Sequence, residues 1–187
     1  MRIFSIAIGT ICYLPIIATA HTGVGDATGF AHGFSHPISG LDHILAMVAV
    51  GLWASQLGGR ATWMIPGAFV TVMLFGGILG LSGIPLPYVE EGILVSVVVL
   101  GILIASAFTF PVAISGIIVA FFSLFHGYAH GIEMPSAVGA ISYSFGFALA
   151  TALLHAAGIS IQTLSVQKIS RFAGAAIAIG GIYLAVS

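Results

Sequence analysis

Histidines and an aspartate are concentrated in one short stretch of this otherwise apolar chain. The run HGFSHPISGLDH, residues 32–43, holds three of the seven histidines and one of the five acidic residues. Only 5% of all residues are charged, so such a cluster stands out. Imidazole and carboxylate groups bind divalent transition metals. The stretch therefore predicts metal ligands at His36, Asp42 and His43, and His32 is a secondary candidate.

A second cluster offers the same chemistry with helical spacing. The run FHGYAHGIE places His126, His130 and Glu133 at i, i+4 and i+7, which is one stripe of a helix. We predict that the two clusters meet in space and hold one divalent cation. The donor set contains no thiolate, so it argues against Cu(I) and fits nickel, cobalt, zinc or iron. Gly127 and Gly131 can break the helix here, which is tolerated where the backbone lines a binding site.

Three residues near these clusters each have two interpretations. Asp42 either binds the metal directly or orients a ligand histidine from outside the coordination shell. Met47 follows His43 by one helical turn and is a further candidate ligand, although packing is the simpler role for a methionine. His155 marks either the inner half of a transport pathway or an anchor at the membrane interface.

The composition indicates an integral membrane protein. The 187 residues are 59% hydrophobic and their mean hydropathy is +1.20, whereas soluble domains carry about 25% charged residues. A net charge of −1 without a basic patch argues against nucleic-acid binding. The sequence contains no phosphate-binding loop, so we expect no nucleotide, and we expect no prosthetic group. A homo-oligomer is left open.

Residues 1–20 are expected to be a cleavable signal peptide. A basic residue precedes an apolar centre, and the tripeptide ATA at the end is a cleavage site. The alternative is an uncleaved first transmembrane helix, but Pro15 and the shortness of the run argue against it. Cleavage would remove Cys12, the single cysteine, and make His21 the N-terminal residue. The amine and imidazole of His21 could then chelate a metal together.

Residues 21–187 are expected to form a single all-α domain with six transmembrane helices. A polar extracytoplasmic segment, residues 21–40, precedes the first span, and a polar loop covers residues 158–168. Each apolar run is close to the roughly 20 residues that cross a bilayer. The six predicted spans are residues 40–57, 62–81, 89–108, 111–130, 135–157 and 169–186.

The distribution of charge predicts the orientation. With the mature N-terminus outside, the basic residues Arg60, Lys168 and Arg171 all fall on the inner side, as the positive-inside rule requires. The five acids and both histidine clusters then face the periplasm across a bacterial inner membrane. Glu90 and Glu91 are either a solvated helix start or an attractant for cations.

At its two histidine-containing clusters the sequence resembles the HupE/UreJ family, the small nickel permeases associated with hydrogenase and urease gene clusters. Its signatures resemble residues 36–43, residues 125–133 and the segment 146–155, and the resemblance extends over the whole mature chain. The resemblance implies import of Ni²⁺, or of Co²⁺ in some members, by a secondary or facilitated route. It also implies that the motif histidines and Asp42 contact the metal.

The sequence therefore predicts a permease, not an enzyme, for a divalent transition metal: Ni²⁺ first, with Co²⁺ and Zn²⁺ as alternatives. A membrane-embedded zinc-dependent hydrolase is the rival, because histidines and acids also serve zinc and a general base. The absence of a His-Glu-x-x-His pairing argues against that rival. A third interpretation is an accessory protein that binds metal without transporting it.

Overall fold

The computed structural model describes residues 26–165 and 167–187, and every regular element in these ranges is an α-helix. The all-α class is therefore confirmed. The expected signal peptide, residues 1–20, and His21 lie outside the described residues. The helices are α1 (Asp26–Ser39), α2 (Leu41–Leu57), α3 (Ala61–Leu81), α4 (Val89–Ser106), α5 (Val112–Glu133), α6 (Ala140–Leu164) and α7 (Gln167–Val186).

Within the described residues, five helices are long and apolar enough to cross a membrane, namely α3 to α7. Helices α1 and α2 meet the same criterion only as a pair, and the chain bends by 83° between them. Gly40 at this junction has extended backbone angles, with φ −99° and ψ 122°. The described residues therefore contain five candidate spans, or six if the bent pair is one broken span.

Two segments that the sequence predicts to be a polar extracytoplasmic segment and a polar loop belong largely to helices. The described part of the segment 21–40 forms α1, because Gly33 lets that helix lie directly on the backbone of Tyr143 in α6. The predicted loop 158–168 is helical as far as Leu164. There the hydroxyl of Ser160 donates to the carbonyl of Ala156 at 2.8 Å, so this polar side chain is satisfied within the helix.

Glycines allow α3 and α5 to approach each other closely. A Cβ on Gly127 would overlap the carbonyl of Met73, and one on Gly131 would overlap the carbonyl of Gly77. The predicted possibility that these glycines break α5 is wrong, because the helix continues through both to Glu133. Their missing side chains instead leave room for the neighbouring backbone, which is the usual role of small residues between membrane helices.

The bundle separates acidic from basic side chains at its two ends. Helices α2 and α4 begin, and α5 ends, at what we call the acidic end, which carries Asp42, Glu90 and Glu133. Helices α3 and α7 begin at the opposite, basic end. The basic end carries Arg60, Lys168 and Arg171. This separation of charge means that the acidic end of the bundle attracts cations and the basic end repels them.

Candidate metal centre

Four histidines from three helices come together at the acidic end. The ring centroid of His130 on α5 lies 4.6 Å from that of His36 on α1 and 4.6 Å from that of His43 on α2. The ring of His126, one turn before His130, lies 4.8 Å from that of His43. The structure thus brings the two sequence clusters side by side, and we call these four rings the histidine cluster.

Donor atoms of three side chains already lie close enough to surround an ion. One ring nitrogen each from His36 and His130 and a carboxylate oxygen of Glu133 lie within 4.8 Å of one another. Nε2 of His36 is 2.8 Å from Oε2 of Glu133. Donors bound to one transition metal at about 2.0–2.2 Å are separated by about 3–4 Å. Small side-chain rotations would therefore suffice to close this set around a cation.

A pocket of about 210 Å³ opens onto this group at the acidic end. Glu90 of α4 lines it, so a fourth helix contributes to the site. Its lining combines three imidazoles with three carboxylates. These are His36, His43, His130, Asp42, Glu90 and Glu133. The adjacent Glu91 does not line the pocket, so these two neighbouring acids lie in different environments.

Asp42 holds the ring of His43 in a fixed orientation. Its Oδ1 accepts the backbone N–H of His43 at 2.8 Å and lies 2.9 Å from Nδ1 of the same residue. A carboxylate can only accept, so Nδ1 carries the proton and Nε2 keeps its lone pair. That Nε2 is buried and has no hydrogen-bond partner among the described residues. The geometry gives Asp42 the orienting role that carboxylates play beside metal-binding histidines.

The ring of His126 is oriented by a serine that sequence reasoning missed. Ser96 of α4 donates its hydroxyl proton to the carbonyl of Ile93 at 2.6 Å and lies 2.9 Å from Nε2 of His126. Its oxygen must then accept the Nε2 proton, which leaves Nδ1 as the basic nitrogen. Ser96 stands in an apolar run, and a lone serine there is more often satisfied by its own helix, so its role is hard to recognise from residue type alone.

His130 is the least satisfied ring of the histidine cluster. Both of its ring nitrogens are buried without a hydrogen-bond partner among the described residues. Its ring packs against that of Phe147, and the two ring centroids are 3.8 Å apart. An unsatisfied buried polar group costs about 1–3 kcal/mol. A cation bound to one of these nitrogens would remove the penalty for that nitrogen.

The secondary candidates lie apart from this pocket. His32 is exposed on α1, and Met47 is fully buried in the apolar core. His155 is also buried and does not line the pocket, and the ring of Phe69 contacts both His155 and His126, with centroid distances of 5.0 and 5.7 Å. The structure therefore brings together the six principal candidates and leaves these three outside the group.

Comparison with known proteins identifies the family. A family model described as HupE / UreJ protein matches residues 10–184. The chain belongs to the HupE/UreJ family. It is 49% identical over 177 residues to Protein HupE of Rhizobium leguminosarum bv. viciae, and the match covers 92% of each chain. No solved structure matches the chain. Membership confirms the resemblance that the histidine motifs carry.

Proposed function

We propose that this protein is a permease that imports Ni²⁺, with Co²⁺ as an alternative substrate, across the inner membrane of a bacterium. Membership of the HupE/UreJ family supports transport of these metals. The observation that carries the proposal is the convergence of His36, His130 and Glu133, donors from α1 and α5, on one pocket of a helical membrane bundle.

The donor set suits a metal that is bound and then released. Imidazole nitrogens favour Ni²⁺ and Co²⁺, and carboxylates replace part of the hydration shell. His43 contributes Nε2 and His126 contributes Nδ1, because hydrogen bonds hold the other nitrogen of each ring. Binding must separate His36 from Glu133, which lie 2.8 Å apart. The loss of that contact offsets part of the binding energy and helps to keep the site from trapping the ion.

We infer that the acidic end faces the periplasm. The positive-inside rule assigns the basic end, with Arg60, Lys168 and Arg171, to the cytoplasm. Carboxylates at the pocket would then attract cations where they arrive. A signal peptide over residues 1–20, cleaved before a single transmembrane domain of residues 21–187, is consistent with that orientation.

Uptake in this direction requires no nucleotide. Moving one charge through a membrane potential is worth about 2.3 kcal/mol per 100 mV, so a divalent cation gains about twice that on entering a negative cytoplasm. We therefore propose a secondary or facilitated route in which the protein supplies only a path and selectivity.

Nickel accumulation in cells that lack their own nickel uptake system tests the proposal. His130→Ala removes the ring whose two nitrogens have no hydrogen-bond partner in the described part of the chain, and we expect uptake to fall at least tenfold at equal protein level in the membrane. His32→Ala is the matched control, because it removes an exposed histidine of α1 outside the pocket.

Purified protein in liposomes separates transport from binding alone. Nickel flux into vesicles carrying the wild-type protein, and little flux with His130→Ala, is the expected result. Metal binding without flux would favour an accessory protein, and zinc-dependent hydrolytic turnover would favour the hydrolase. Wild-type flux with His130→Ala would contradict the site.

A further inference from the structure

One further histidine, His155, is buried outside the histidine cluster. His155 on α6 is only 2% exposed, and neither of its ring nitrogens has a hydrogen-bond partner among the described residues. A buried imidazole nitrogen without a hydrogen bond lowers the free energy of unfolding. Ionisable residues in membrane-spanning helices are expensive and usually mark a functional path.

A separate pocket of about 250 Å³ between α3 and α6 reaches this ring. Its walls include Trp63, Pro66 and Val70 from α3 and Ile159 from α6. Among its lining side chains His155 is the only imidazole, and none is a carboxylate. Trp63 stands in the first turn of α3, so the pocket extends towards the basic end. Near Gly67 the groove is open, since a Cβ there would meet nothing within 4 Å.

Phe69 joins this pocket to the histidine cluster. Its ring lies 5.7 Å from that of His126 and meets the ring of His155 edge-on at 5.0 Å, with an interplanar angle of 87°. The two histidines therefore lie against the same aromatic side chain.

We propose that His155 is a second metal-contact residue, which accepts the divalent cation beyond Phe69 and releases it through the groove between α3 and α6. This inference rests on the proposed function. The cation exchanges a nitrogen of the cluster for a nitrogen of His155 and keeps water molecules at its remaining coordination positions. A single imidazole without a carboxylate binds weakly, which suits a site of release.

Flux through liposomes and metal affinity in detergent test this role together. His155→Phe keeps an aromatic ring against Phe69 but offers no nitrogen. We expect nickel flux to fall at least tenfold while the affinity of the histidine cluster, measured by equilibrium dialysis, stays within about twofold of wild type. Leu153→Ala, which changes an exposed side chain of the same helix outside this pocket, should keep the wild-type flux. Unchanged flux in His155→Phe would overturn the proposal.

A cysteine at the same position gives a second readout if the phenylalanine variant does not fold. His155→Cys is combined with Cys12→Ser, which removes the single native cysteine. A charged methanethiosulfonate applied from the basic end should label the new thiol, and Ni²⁺ should slow that labelling at least fivefold. Labelling that Ni²⁺ does not slow would contradict metal contact.

The controls distinguish the two possible failures. If the wild-type protein gives no nickel flux, the proposed function itself is wrong. If the wild-type protein transports nickel but His155→Phe transports equally well, or Ni²⁺ does not protect the cysteine, only the role of His155 is wrong.

Discussion

The hydroxyl oxygen of Ser96 lies 2.9 Å from Nε2 of His126, and this contact decides which nitrogen of that ring remains basic. Ser96→Ala removes the acceptor, so the ring can adopt the other tautomer and rotate. Loss of such an orienting partner typically costs a metal site 10–100-fold in affinity. We expect a loss in that range for Ni²⁺, measured by isothermal titration in detergent.

Ser106→Ala is the control on the same helix. That hydroxyl lies at the basic end and bonds to the carbonyl of Ile102 at 2.7 Å, so its removal should leave nickel affinity unchanged. Equal affinity in the Ser96 and Ser106 variants would show that the tautomer of His126 does not matter for binding.

Asp42→Asn tests whether Asp42 orients His43 or binds the metal itself. An asparagine oxygen can still accept from Nδ1, but without the negative charge that strengthens the contact. We expect about tenfold weaker nickel binding with the same number of nitrogen and oxygen ligands. X-ray absorption spectroscopy of the loaded proteins measures that number, and the loss of one oxygen ligand would make Asp42 a direct ligand.

Two adjacent acids on α4 should behave differently. Glu90 lines the metal pocket and Glu91 does not. Glu90→Gln removes one negative charge from the pocket, and we expect the initial rate of nickel uptake to fall several-fold at low ionic strength. The deficit should shrink with added salt, because salt screens charges at the surface. Similar rates for Glu90→Gln and Glu91→Gln would contradict this view of the pocket.

The contact between α3 and α5 should tolerate no added methyl group at Gly127. Its Cβ would overlap the carbonyl of Met73, so Gly127→Ala is expected to lower stability by about 1–3 kcal/mol. Gly116 of the same helix faces open space, and Gly116→Ala should be neutral or stabilising by up to about 1 kcal/mol. Thermal unfolding in detergent compares the two, and equal midpoints would contradict the close approach.

Spans could be predicted from the sequence because hydropathy is a local property. The apolar runs that became α3, α4 and α7 are predicted to within a few residues. The helix α1 is missed because its composition is polar. It depends on Gly33 meeting the backbone of Tyr143, a contact between residues more than a hundred positions apart along the chain.

Some residues of the candidate site can also be recognised from the sequence, and others only from the structure. Histidines and acids stand out in an apolar chain, so the ligand candidates are visible in the sequence. Ser96 and Phe69 are ordinary residues of apolar helices, and their importance comes only from their distance to His126. The sequence leaves open whether Asp42 binds the metal or orients His43. Both roles suit an aspartate, and only the hydrogen bond to His43 distinguishes them.

By itself, the sequence determined that the chain enters a membrane, which donor atoms it can offer and, through its motifs, its family. Those features are properties of single residues and short runs. Only the tertiary structure decided that the donors from α1, α2 and α5 share one pocket and that Phe69 contacts both His126 and His155. The physical reason is that the relative positions of the helices depend on contacts between distant segments, such as Gly127 against Met73.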